Sequence, residues 1–212
     1  MKSTRITILL ILMTMLFSSC GQVQIKAPDT QLTEKPNIEN KDHGQNDNDI
    51  NDEARVAINA LKDKDMEEIS ELVHPKKGVR FSPYGYVDVE NDLVFTASDV
   101  KGLFSDSTIY VWGSYDGIGD PIELTFEDYY KKFIYDVDFA NAEQIGYNEI
   151  LGRGNTLENS AEVYTDSIVV EYHFSGFEPQ YEGMDWRSLR IVFEKDKGTW
   201  YIVGIIHDQW TI

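Results

Sequence analysis

The chain has 212 residues, with 37 acidic against 19 basic side chains and a net charge of −18. A field of that sign repels nucleic acid and anionic lipid headgroups and excludes both as binding surfaces, while it favours cationic ligands or metal ions; an acidic surface is also a common solubility device. With one cysteine in the whole sequence, an internal disulfide and a thiolate zinc site are excluded as well.

The chain opens on Lys2 and Arg5, followed by an apolar run from Ile6 to Phe17 and then Ser18-Ser19-Cys20-Gly21. A run of about a dozen residues is too short to span the ~30 Å hydrocarbon core, which needs ~20 helical residues. A charged start, a short apolar centre and small residues at the end form the secretory signal pattern. Leu16-Phe17-Ser18-Ser19-Cys20-Gly21 resembles a bacterial lipobox, with Phe17 where leucine is usual. That resemblance implies a signal peptide over 1–19, diacylglyceryl transfer to Cys20 and cleavage before it. The expected location is therefore the extracytoplasmic face of the cell membrane, held by lipid on Cys20.

Residues 20–50 are polar, carry Pro28, Pro36 and the run Asn46-Asp47-Asn48-Asp49, and show no hydrophobic periodicity. They read as a flexible tether. Roughly 30 coil residues span about 30 Å r.m.s.. The Asp/Asn run lacks the order and the closing Glu of an EF-hand loop.

Residues 51–212 suit one domain and hold all four Trp. A first helix is expected from Asn51 or Asp52 through Leu61, with Val56, Ala57, Ala60 and Leu61 on one face. A second starts at Asp65, with Glu68 as its capping-box partner, and ends at His74-Pro75. Val79–Phe81 predicts a short strand, Thr96 with Asp99 a small helix through Phe104, and 108–112 a strand. Gly113 to Pro121 reads as a Gly/Asp loop. Thr125 with Asp128 caps a helix whose face is Phe126, Tyr129, Tyr130, Phe133 and Val137. The period then changes to two, which predicts strands over 144–152, 167–174, 188–195 and 199–207, with a hairpin at Asp196-Lys197-Gly198. Alternation in 167–174 places Ile168, Val170 and Tyr172 on one face and turns Glu171 and His173 to water. The fold class is α+β, with N-terminal helices packed in the concavity of a curved antiparallel sheet.

A helical pair ending at Leu72-Val73-His74-Pro75 and a closing strand from Gly198 to His207 are similar to the nuclear transport factor 2-like superfamily, over residues 52 to 212. Lipobox, tether and one such domain also resemble uncharacterised lipoproteins of Gram-positive bacteria. The superfamily resemblance implies a cone whose bent sheet wraps its helices and leaves a cavity at the open end. Members include ketosteroid isomerases, polyketide cyclases, dehydratases, transport factors and domains that only bind, so fold does not decide function. No ketosteroid-isomerase acid or base maps onto this chain.

Candidate chemistry concentrates in four places. His207 and Asp208 lie at the end of the last strand, where an imidazole beside a carboxylate can act as a base, although neighbouring strand residues point to opposite faces. Asp116 and Asp120 in the glycine-rich loop are candidate oxygen ligands for Ca²⁺, against a plain turn capped by Asp side chains. Tyr84, Trp112, Tyr115, Tyr181, Trp186 and Trp210 are candidates to line a groove for a sugar, a peptide or an apolar ligand. Arg187 is a candidate anion clamp, with ion pairing inside an acidic domain as the simpler role. There is no G-x-S-x-G, H-E-x-x-H or P-loop. The reading is therefore a binding or interaction domain without a cofactor, its partner a small molecule, a sugar or another envelope protein. The alternative is a cyclase, isomerase or dehydratase with a pocket His or Asp as general base.

Overall fold

The computed structural model describes residues 46–211. The signal segment 1–19, Cys20 and most of the tether lie outside the described residues.

Helix α1 (Asn46–Asp63) starts earlier than expected. Ile50 is buried with Ala54, Ala57, Ile58 and Leu61, so the apolar stripe continues backwards into the polar run. Lys64, at φ +57°, breaks the helix. The Asp65 side chain then accepts the Glu68 N–H at 3.0 Å and starts α2 (Met66–Leu72). His74 closes the following turn, its Nδ1 accepting the N–H groups of Lys76 and Lys77.

Strands β1 (Val79–Ser82) and β2 (Val94–Phe95) precede α3 (Ala97–Gly102), which carries the reciprocal Thr96/Asp99 capping box. The Gly/Asp stretch from Gly113 to Pro121 forms the tip of a hairpin between β3 (Tyr110–Ser114) and β4 (Pro121–Leu124). Thr125 caps α4 (Phe126–Phe133), which ends before Val137. Then come β5 (Gln144–Tyr147), α5 (Ser160–Val163), β6 (Ser167–Phe174), β7 (Arg187–Asp196) and β8 (Thr199–Gln209).

Six strands form one sheet in the order β2-β1-β8-β7-β6-β5. All neighbours are antiparallel except β1, which lies parallel to β8. The fold is thus α+β, a curved, mainly antiparallel sheet with α1 to α4 packed on one face. That inner face carries Val170 and Tyr172 of β6, Leu189, Ile191 and Phe193 of β7, and Ile202 and Ile205 of β8. Tyr172 donates its hydroxyl to the Ala54 carbonyl at 2.8 Å, and Tyr130 donates to Leu61 O, which ties α1 to the sheet and to α4.

Aromatic rings fill the space between sheet and helices. Trp112 is fully buried, stacks on Tyr129 at 3.9 Å and donates its indole N–H to Leu124 O. Phe81 meets both rings of this pair edge-on, and Phe95, Phe126 and Phe133 lie tilted against it.

The outer face is covered too. Val169, Val192, Val203 and Ile206 form a second cluster with Val87, closed by Val163 and Tyr164. Strict alternation along β8 would put Val203 on the face of His207; it turns outward because the β7–β8 register slips between Val192 and Phe193. The chain leaves β5 at Asn148 (φ +52°) and crosses this outer face before reaching β6.

Trp112→Ala is expected to lower unfolding stability by about 3–5 kcal/mol, the usual cost of deleting a buried large aromatic. Chemical denaturation measures it; a change below about 1 kcal/mol contradicts a core role for this ring.

Candidate functional site

Glu171 and His173 do not face water. Glu171 is fully buried and His173 nearly so, because the 148–160 segment lies over that side of the sheet. Cross-strand pairing sets Glu171 opposite Arg190, and Ser188 opposite both His173 and Asp208. Arg190 is fully buried; its Nε donates to Glu171 Oε2 at 3.0 Å, its Nη1 to Asp208 Oδ2 at 2.9 Å and its Nη2 to Gly152 O at 3.0 Å. Glu171 also accepts the N–H groups of Leu151 and Gly152 and the Ser188 hydroxyl. Since that hydroxyl donates to Glu171, it accepts from His173, whose Nδ1 lies 2.9 Å away.

The two carboxylates respond differently to the same guanidinium. Burial alone raises Glu171, but Arg190, Ser188 and the Gly152 N–H outweigh it and hold the carboxyl below its usual range. Asp208 has fewer donors, and burial wins, so its pKa stands above the usual value despite Arg190. Desolvation likewise lowers His173. The cluster is sealed. Trp186 packs over His173, and a Cβ on Gly152 would come within 2.4 Å of Ser188 Oγ and 2.6 Å of the Trp186 ring. Asp208 is therefore held as an ion-pair partner of Arg190.

His207 sits on the inner face, fully buried beside Phe133. Its Nε2 lies 3.2 Å from Asp136 Oδ1, close enough for a charge contact but off-line for a hydrogen bond. Arg187 donates to the other Asp136 oxygen at 2.9 Å and to the carbonyls of Asp185 and Trp186. Burial raises the Asp136 carboxyl, but His207 and Arg187 together hold it below the usual range. Arg187 is an internal ion-pair partner and His207 has no opening to solvent.

The aromatic candidates do not form one groove. Trp112 belongs to the core, Trp186 is buried under the crossing segment, Tyr181 stands 48% exposed on the β6–β7 loop, and Trp210 is half-buried after β8. Tyr84 and Tyr115 do come together. With Tyr86, Pro83 and Ile118 they line a cleft of about 610 Å³ between the β1–β2 loop and the β3–β4 hairpin. Asp88, Asn91, Asp92, Asp116 and Thr156 supply its polar groups.

Asp116 accepts the hydroxyls of Thr211 at 2.5 Å and Thr156 at 2.9 Å, and the Thr211 hydrogen bond above all keeps its pKa low. Asp120 is exposed and does not line the cleft. Among the described residues no group of three or more His, Cys, Asp or Glu side chains is placed to hold a metal.

Asp92 is the group that sequence reading missed. Its Oδ2 accepts the Ser82 hydroxyl at 2.5 Å and the Asp88 N–H at 3.0 Å, while burial, only partly offset by these bonds, raises its pKa to about 6. It lies in a loop without periodicity, so only the folded chain reveals its burial.

Cleft and buried cluster are mechanically joined. The segment that Arg190 and Glu171 hold at Gly152 continues to Thr156, which bonds Asp116, and to Asn159, which bonds both backbone groups of Val87. On the other side, a Cβ on Gly85, between Tyr84 and Tyr86, would come within 2.6 Å of Asp208 Oδ2.

No family model and no curated protein matches the chain. Solved structures similar to it include a protein from Xanthomonas campestris assigned as a calcium/calmodulin-dependent protein kinase II association domain, at 14% identity over 85% of this chain and 97% of that one, TM-score 0.34. Another, from Streptomyces avermitilis, is assigned as a dehydratase of the nuclear transport factor 2-like family, at 12% identity over 78% of this chain and 97% of that one, TM-score 0.34.

Arg190→Leu is expected to cost about 3–5 kcal/mol, since it leaves two carboxylates buried without their cation. The contribution of Glu171 to the pH dependence reverses sign. In the native chain Glu171 contributes stability above its unfolded pKa and loses it as pH falls through the lowered folded pKa. In the variant both carboxyls are raised, so stability is greatest in acid and falls as pH rises through the raised values. Denaturant titrations across that range measure it; a variant that gains stability with rising pH contradicts this account.

Proposed function

We propose that this chain is a lipid-anchored extracytoplasmic binding domain of the nuclear transport factor 2-like type, and that the cleft beside Tyr84 and Tyr115 is its ligand site. The observation that carries the reading is the cleft itself: about 610 Å³, lined by tyrosines and carboxylates, on a domain whose interior is packed with rings. Helices first and an antiparallel meander last support the superfamily assignment. Cys20 and its flanking residues support the anchor. Among the described residues no helix is long and apolar enough to cross a membrane; the attachment proposed is the lipid on Cys20. One acyl chain holds a protein only marginally, and the two chains of a diacylglyceryl group make the attachment durable.

A second reading rests on Asp92. A carboxyl with a pKa of about 6, at the wall of a cleft, lies in the range of a general acid or base working near neutrality. A cyclase, isomerase or dehydratase would use it in that role, in place of His207 and Asp208. It predicts turnover that Asp92→Asn abolishes while ligand affinity survives.

Cys20→Ala is expected to move the protein from the membrane fraction to the soluble fraction and to abolish incorporation of labelled fatty acid; retention in the membrane contradicts the anchor. A thermal-shift screen of the full-length chain against sugars, amines, cell-wall fragments and metal salts is expected to give at least one ligand that raises the melting temperature. Tyr84→Ala is expected to remove that shift. No shift with any class, or a shift that survives Tyr84→Ala, removes the cleft as the ligand site.

A further inference from the structure

The chemistry of the cleft wall selects the ligand. Its lining holds three carboxylates, Asp88, Asp92 and Asp116, and no Lys, Arg or His. Two cations that touch its lining residues are committed elsewhere. Arg80 Nη1 donates to the carbonyl oxygens of Asp88 and Asp92 rather than to a carboxylate. Lys132 stands 4.3 Å over the Tyr115 ring and donates to its hydroxyl at 3.0 Å, outside the lining.

Asp92 is the side chain that asks for a partner. It is nine-tenths buried, both of its hydrogen bonds fall on Oδ2, and Oδ1 takes none from any described residue. Oδ1 is not among the fully sealed polar atoms, and Asp92 is one of the residues that line the cleft. A carboxylate oxygen without a protein donor, on a residue this buried, is a ready acceptor for an N–H group of a ligand. Behind it stands the hydroxyl of Tyr129, fully buried and also without a partner.

We propose that the cleft binds a small organic cation, its ammonium or guanidinium group seated on the carboxylates of Asp92 and Asp116 and its carbon skeleton laid against Tyr84, Tyr86 and Ile118. This rests on the cleft being the ligand site. Carboxylates provide charge-assisted hydrogen bonds, and the tyrosine faces add attraction for a cation that a neutral sugar does not feel. The protein already makes one such contact, between Lys132 and Tyr115.

The arrangement couples binding to a proton. Arg80 and the Ser82 hydroxyl on β1, Asp88 in its own loop, Tyr129 on α4 and Tyr164 after α5 are the charged, titratable or hydrogen-bonding groups that face Asp92. None of them supplies a cation to its carboxylate directly. With its pKa at about 6, Asp92 is ionised near pH 7.5 and mostly neutral near pH 5. A cation selects the ionised form, so affinity is expected to fall about tenfold between about pH 7.5 and about pH 5, with proton release on binding in the acid range.

Calorimetry on the full-length chain in detergent tests this with agmatine and choline as cationic probes and N-acetylglucosamine as the neutral one. The expected result is binding of a cationic probe that weakens about tenfold at the lower pH and at least tenfold in either Asp92→Asn or Asp116→Asn. Both variants keep the oxygen that accepts from Ser82 or Thr211, and their melting curves report whether they fold; Asp116, on the surface, serves if Asp92→Asn does not. Cation binding unchanged by pH and by both variants overturns the proposal. Binding of N-acetylglucosamine alone overturns it too, while leaving the cleft as a ligand site. No binding by any probe, together with an empty ligand screen, removes both.

Discussion

Arg190 fixes the outer half of this domain. A fully buried guanidinium has to be neutralised and hydrogen-bonded, since the interior gives no water to do so. Glu171, Asp208 and the Gly152 carbonyl meet that demand from three separate stretches of chain. The consequence is positional. Strands β6, β7 and β8 are held in register at the cluster, and the segment after β5 is pinned to the sheet at residues 151 and 152. From there it runs on to Thr156 and Asn159, which shape the cleft through Asp116 and Val87. A buried ion cluster adds little net stability compared with apolar packing, yet it tolerates few alternative arrangements. Its contribution here is to specify where the covering segment lies.

The inner half is organised by rings instead of charges. Trp112, Tyr129, Phe126, Phe133 and Phe81 occupy the space between sheet and helices, and His207 with Asp136 and Arg187 is enclosed at its edge. Packing of this density leaves the cleft outside that core, at the junction of the β1–β2 loop and the β3–β4 hairpin. Loops can carry recognition groups when a rigid scaffold holds them. The hairpin is held at its base by Trp112, and at its tip Asp116 is tied to Thr156 and Thr211.

Much of the architecture was legible in the residues because it is set locally. Asp65, Thr96 and Thr125 announce helix starts, and each side chain does accept the amide three residues on. The aromatic spacing of Phe126, Tyr129, Tyr130 and Phe133 gives the buried face of α4. The site was less legible. Tyr84, Tyr115 and Asp116 were read as candidates and do share a cleft, whereas Trp112, Trp186, Tyr181, Arg187 and Trp210 are dispersed. Aromatic content marks a core and a binding wall alike. Glu171 and His173 were read as solvent-facing because alternation implies one wet face. A clue was present in Arg190, a charge set inside the apolar run Leu189–Phe193, which calls for a buried acid on a neighbouring strand.

By itself the sequence determined what depends on neighbours along the chain: an acidic domain, the helix caps, the strand periods, the hairpin at Lys197-Gly198 and the α+β class. These follow from backbone preferences and side-chain spacing within a few residues. Only the tertiary structure decided which face of the sheet is dry, which acid meets Arg190 and which carboxylate is left half-satisfied at the cleft. Burial and ion pairing depend on segments far apart in sequence, such as Gly152 with Arg190 and Ser82 with Asp92, and a carboxylate's chemistry is set by those encounters.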